Sequence, residues 1–271
     1  MTTSNQPESS TVPPDDEPGG QMTFFEHLVE LRKRIINSLI SVGVGAMVGW
    51  YVAPHFVDWI TKPMLKALKE AGLAQQLVYT HPAGYLNLLI TLSIYLGLVL
   101  ASPIVLYQIW LFVAPALYKH ERSAITGFLF STVFLFLGGI AFGYFIMLPY
   151  ILRFLVHISS QGPVVPLISI NEYFDLILLI LLGLGLVFEM PILIFFLSLF
   201  GIVTPKFLWQ NFRYAILVIA IVAAIVTPTP DATTMLIFMA PMVGLYFLGI
   251  GVSALVVRRR NRRLAAAAEA R

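Results

Sequence analysis

Tyr214-Ala215-Ile216-Leu217-Val218-Ile219-Ala220-Ile221-Val222-Ala223-Ala224-Ile225-Val226 is an unbroken apolar run, and Thr227-Pro228-Thr229-Pro230-Asp231 stops it. A helix of this length rises about 20 Å, against about 30 Å of hydrocarbon in an ordinary bilayer. Two readings compete. The run is a re-entrant segment, or it is a true span across a locally thinned membrane. Residues 235–257 then return as a second apolar run with Pro241 inside it. The choice decides on which side the arginine cluster at 258–263 lands.

Working outward, the whole chain has the composition of a membrane protein. Of its 271 residues 58% are hydrophobic and 11% charged, with mean hydropathy +0.85. A soluble domain carries about 25% charged residues. Four further apolar runs precede the short one, at 35–53, 85–114, 125–150 and 174–200. The first is expected to end at Pro54, and the second to tilt, kink at Pro103 or project beyond the membrane. Residues 54–84 are too polar to span, residues 152–173 read as a loop, and residues 204–213 read as a short connector. The expected fold is all-α: a polytopic membrane protein of six transmembrane helices with a short fifth. Residues 1–21 form a disordered tail rich in Pro, Ser, Asp and Glu, 22–257 the membrane domain, and 258–271 a basic tail. No cleavable signal peptide is read at the start, since the first 22 residues lack an apolar core.

Lysine and arginine orient the spans. With six spans and the N-terminus inside, 13 of the 17 Lys and Arg fall on inside segments. Only Lys62, Lys66, Lys69 and Arg153 fall outside. A re-entrant fifth segment would put the arginine cluster outside and break the rule, so two true spans are favoured.

Enzyme chemistry finds no foothold. There is no cysteine, which excludes disulfides and thiolate sites. His120-Glu121 does not continue to a second histidine, because residue 124 is Ala. No G-x-S-x-G or phosphate-binding loop is present, and no basic patch in the body suggests nucleic acid. The pairs Gly45/Gly49 and Gly139/Gly143 have the spacing of close helix packing.

The candidate residues are acids. In Phe24-Phe25-Glu26-His27-Leu28-Val29-Glu30-Leu31-Arg32-Lys33-Arg34, the residues Phe24, Leu28, Leu31 and Ile35 make one apolar stripe. Thr23 reads as the N-cap, with Glu26 as its capping-box partner. This is either an interfacial anchor or a receiving surface for a cationic partner; an anchor on an anionic membrane has no use for Glu26 and Glu30. Glu189 lies mid-span before Pro191, where an acid costs about 2.5–3.5 kcal/mol. It is either a packed neutral acid or the lining of a polar cavity. Glu121 lies on an inside connector, where it either pairs on the surface with Lys119 or Arg122 or takes part in a site. Asp231 reads first as the N-cap of the last span.

Taken in order, His27 to Arg34, Ala114-Pro115-Ala116-Leu117-Tyr118-Lys119-His120-Glu121-Arg122, Phe188-Glu189-Met190-Pro191 and the 227–231 turn resemble the signature blocks of the TatC family. TatC is the polytopic subunit of the twin-arginine protein translocase, and the resemblance covers about residues 22–257. It implies six spans with short fifth and sixth helices, a cupped shape, and both termini cytoplasmic in a bacterial inner membrane. It also implies a receptor for twin-arginine signal peptides that exports folded proteins with TatA- and TatB-type partners, driven by the proton-motive force, without a cofactor. Self-association and contact with membrane lipid are expected as well. The peptide site carries over onto Glu30 and Glu121, with Arg32 beside it. Glu189, Asp231 and Thr234 match polar positions that face partner helices. Here Thr234-Met235 stands where relatives often have Ser-Gln. The competing class is a proton-coupled small-solute transporter with Glu189 as coupling acid. It would favour matched halves with broken helices and would leave Glu30 and Glu121 without a role.

Overall fold

The computed structural model describes residues 24–113, 122–161, 166–227 and 231–269. The tail at 1–21, the Thr23 cap, Glu121 and the prolines of the 227–231 turn lie outside them. Helices make up nearly all of the described chain: α1 (Phe24–Glu70), α2 (Gly84–Val113), α3 (Arg122–Phe142), a π-helical turn (Gly143–Met147), α4 (Leu148–Ser160), α5 (Ile170–Phe188), α6 (Met190–Leu199), α7 (Pro205–Gln210), α8 (Phe212–Val226) and α9 (Ala232–Glu269). Five helical stretches are long and apolar enough to cross a membrane, and α8 is the shorter sixth.

Proline does not end the first helix at Pro54, where the sequence suggests. Helix α1 continues through Pro54 and Pro63 to Glu70, and α2 through Pro103. A proline removes the N–H that would bond the carbonyl four residues back. Neighbouring hydroxyls fill that gap here, as they do in membrane helices generally. The Tyr144 hydroxyl donates to Trp59 O at 2.9 Å, the carbonyl that Pro63 leaves open. Ser102 Oγ donates to Val99 O at 2.7 Å, the carbonyl opposite Pro103. Beyond Pro54, Ile60, Met64, Ala67 and Leu68 form a buried stripe, so this half of α1 is held by packing rather than by lipid.

Two other stretches differ from expectation for the same reason. Residues 152–160, read as loop, continue as α4, because Ile151, Leu152 and Val156 present one buried face. Residues 205–210, read as connector, form α7; Thr204 caps it by accepting from Phe207 N at 3.2 Å. Helix α9 runs on through the arginines at 258–263.

The interhelical seams depend on glycine. A Cβ on Gly45 or Gly49 would stand 2.5 Å from Gly97 O or Ser93 O, and one on Gly97 would collide with Ala46 N. Helices α1 and α2 are therefore antiparallel with backbones in contact. Gly139 of α3 meets Leu184 O of α5 in the same way, at 2.7 Å. Helix α5 forms the centre, with Tyr173, Phe174, Ile177, Ile180 and Leu184 almost wholly buried.

The short segment resolves simply. Helix α8 turns at Thr227 and α9 returns beside it: Phe212 packs on Phe247, and the Tyr246 hydroxyl donates to Leu208 O at 2.9 Å. Helix α9 then continues unbroken to the end from which α8 started, and Arg260 lies against Gly201 in the turn after α6. The arginine cluster thus shares an end of the bundle with Lys206 and Arg213, as two full passes require. The α1 N-terminus belongs to that end too, since Arg34 bonds Gln108 of α2 and Trp110 stacks on Phe196 of α6 at 4.1 Å. At the opposite end Trp59 stacks on Tyr144, and the loops at Val78 and Ser169 are bridged by two backbone hydrogen bonds.

Candidate functional site

The first turns of α1 carry Glu26 near the helix N-terminus, where the macrodipole favours an acid. One turn on, Glu30 and Arg34 stand at i and i+4 and pair at 2.9 Å. Arg34 also donates from Nη1 to Gln108 Oε1 at 3.1 Å, which fixes the pair against α2. The two side chains are only 16% and 24% exposed. Glu30 Oε2 is buried and has no hydrogen-bond partner among the described residues, and Arg34 Nε is in the same state. The carboxylate therefore spends one oxygen on Arg34 and keeps the other. His27 stacks on Phe112 at 4.4 Å and closes the α2 side of this corner. Arg32 is exposed on the same turn. Glu121 lies outside the described residues, one position before Arg122, where α3 begins at this end.

Glu189 occupies the joint between α5 and α6. Pro191 cannot donate to Val187 O, and the Glu189 N–H turns to Leu186 O at 3.1 Å, which breaks the helix for one residue. Both carboxyl oxygens are buried without a partner among the described residues. An acid in that state is costly in the membrane interior.

Thr234 is the second such group. It is 1% exposed, and its hydroxyl has no partner among the described residues. Its N–H donates to Asp231 Oδ2 at 2.7 Å, so Asp231 caps α9. Glu189 and Thr234 are not brought together. Ser198 donates to Ser253 at 2.7 Å, and Ile194 packs on Gly249, so α6 and α9 run parallel in a fixed register. That register sets Glu189 beside residue 244, about 15 Å along α9 from Thr234.

Sequence reasoning missed Arg34 and Gln108. The i, i+4 spacing of Glu30 and Arg34 made their pairing legible, and Gln108 was a polar residue near the end of an apolar run. Their meeting across 74 positions needed the α1–α2 register.

Fold and site together define a class: an all-helical, multi-pass membrane protein with a paired acid at one mouth of the bundle and a lone acid in a broken span. Comparison with known proteins narrows it. The family described as "Sec-independent protein translocase protein (TatC)" matches residues 26–241. The TatC protein of Koribacter versatilis is 49% identical over 249 residues, covering 92% of this chain and 91% of that one. That of Aquifex aeolicus is 34% identical over 241 residues, 89% of this chain and 98% of its own. A crystal structure described as the twin arginine translocase receptor TatC superposes with a TM-score of 0.75 at 34% identity, covering 86% of this chain and all of that one. The chain belongs to the TatC family. It is a component of a Sec-independent protein translocase and not an enzyme.

Proposed function

We propose that the chain is the receptor of a twin-arginine translocase and that Glu30, together with Glu121, binds the paired arginines of a signal peptide. The observation that carries this reading is the state of Glu30: fixed in place, largely buried, and with one oxygen unused. A guanidinium presents two parallel donors that match a carboxylate, which favours arginine over lysine. Such a charged contact is worth about 1.5–3 kcal/mol where water is excluded. The resident pair with Arg34 occupies one carboxylate oxygen and leaves Oε2 for an incoming arginine. Arg32 stands beside the site and steers the approach of groups near it.

The Glu30 end is then the cytoplasmic end in a bacterial inner membrane. It carries the arginine cluster as well as Lys206 and Arg213, in keeping with the positive-inside rule. A single cysteine at Lys66 should label from outside and one at Arg260 only after lysis; the reverse pattern would invert the topology. Glu189, Asp231 and Thr234 serve the second task, contact with single-span partners of the TatA and TatB type. The lone carboxyl and the lone hydroxyl are each matched by a polar group on a partner helix. Transport of folded cargo draws on the proton-motive force.

The test of the receptor reading is affinity for a twin-arginine peptide against its twin-lysine version, at low and moderate salt. Glu30→Ala and Glu121→Ala should each erase most of the arginine preference. If both variants keep it, the peptide is read elsewhere.

A further inference from the structure

At the end of the bundle away from Glu30, α1 and α4 enclose a cavity of about 230 Å³. Its rim holds Lys62, Lys66, Glu70 and Arg153, and its lower wall holds Tyr144 and Phe145. Three of the four cations that the charge pattern leaves on this side therefore converge on one hollow; Lys69 is not among them. Glu70 is matched to Arg153 at 2.9 Å. Lys62 and Lys66, one turn apart on a single face of α1, make no ion pair among the described residues. The lining thus holds three basic side chains against one acidic one, a formal excess of two positive charges.

The wall sets its depth. Tyr144 stacks on Trp59 at 3.9 Å with its hydroxyl spent on Trp59 O, the arrangement of aromatic residues at a membrane–water boundary. Phe145 is 68% exposed and Ile146 beside it 53%, so the surface below the lysines is apolar and open to lipid. Both aromatic wall residues belong to the π-helical turn, where Leu148 N reaches back to Gly143 O just before Pro149. Such turns recur at binding sites because they re-aim side chains out of helical register.

We propose that this cavity holds the phosphodiester headgroup of an anionic phospholipid, with Lys62 and Lys66 on the phosphate and the acyl chains along Phe145 and Ile146. A soluble phosphate ion would use the rim but leave the apolar wall without a function. The site stands apart from Glu30 and Glu189, so its failure would leave the receptor reading untouched.

The test uses the full chain in neutral detergent, read by native mass spectrometry and by thermal shift, with dioleoyl phosphatidylglycerol, dioleoyl phosphatidylcholine or inorganic phosphate added. Phosphatidylglycerol should be retained and should raise the melting temperature, while phosphatidylcholine and phosphate should do neither. The double variant Lys62→Ser/Lys66→Ser should lower phosphatidylglycerol affinity about tenfold, the step that corresponds to about 1.4 kcal/mol. Lys62→Arg/Lys66→Arg should keep it, which separates loss of the site from loss of the fold. Lys69→Ser, on the same helix but outside the cavity, should change little. Three results would overturn the proposal: equal retention of phosphatidylcholine, an equal shift with phosphate alone, or a loss in Lys69→Ser as large as in the double variant.

Discussion

Glu30 and Glu189 are the same side chain in two solvents. Glu30 lies at a mouth of the bundle, answered by Arg34 at 2.9 Å and braced through it by Gln108. Glu189 lies in a broken span with neither oxygen answered among the described residues. The first can exchange one cation for another at small cost, because the exchange conserves charge and hydrogen bonds. The second has no partner to exchange among the described residues. On the proposed reading, the exchangeable pair serves recognition of a peptide and the unanswered acid serves assembly with a partner.

The largest expected effect breaks the Glu30 side of this contrast. Glu30→Lys should lower affinity for a twin-arginine peptide about a hundredfold, since it adds repulsion beside Arg34 to a lost contact of about 1.5–3 kcal/mol. Glu30→Ala should cost about tenfold, at 1.4 kcal/mol per decade. Titration of labelled peptide into purified protein checks both, and a loss under twofold in each would place recognition away from α1.

Glu189→Met tests the other side, and its two readouts should move in opposite directions. Export in cells should fall about tenfold or more, while chemical unfolding of the isolated chain should show a gain of about 1–3 kcal/mol, as an unsatisfied buried group is removed. Loss of stability would mean that the carboxyl is satisfied within the chain. Thr234→Val repeats the logic at smaller scale. Removing an unanswered hydroxyl from a site 1% exposed should leave stability unchanged or raise it by about 1 kcal/mol.

The smallest effect sharpens the idea of exchange. Arg34→Gln removes the internal competitor for Glu30, an i, i+4 pair worth at least the roughly 0.3–0.5 kcal/mol of an exposed one. Peptide affinity should therefore rise about twofold or more. A fall instead would make Arg34 a support for the carboxylate. A double-mutant cycle with Glu30→Ala should show that the gain vanishes when the acid is absent.

The sequence alone carried the helical class, the apolar runs and the oddity of Glu189. Those depend on local composition: long apolar stretches can satisfy their backbone only as helices, and an acid among them stands out. Charge distribution also carried the even number of passes, which the α8–α9 hairpin bears out. Helix ends were poorly legible. Pro54 looks like a terminator from sequence, but a buried stripe holds α1 together beyond it, and Tyr144 and Ser102 take up the carbonyls that Pro63 and Pro103 leave free. The extension of α4 was hidden for a related reason, because its polar face resembles a loop until α1 covers the other.

Only the tertiary structure decided how the candidate residues are answered. The i, i+4 spacing of Glu30 and Arg34 permits their pairing, but Gln108 reaches them only because glycine lets α1 and α2 touch backbone to backbone and sets their register. Asp231 is the exception, a local cap that the sequence already suggested and that the 2.7 Å bond from Thr234 N–H bears out. Glu189 and Thr234, both polar and both in the last third of the chain, proved to lie about 15 Å apart along parallel helices. Composition records which groups need partners, whereas the partners themselves come from contacts between distant segments, and those exist only once the helices have packed.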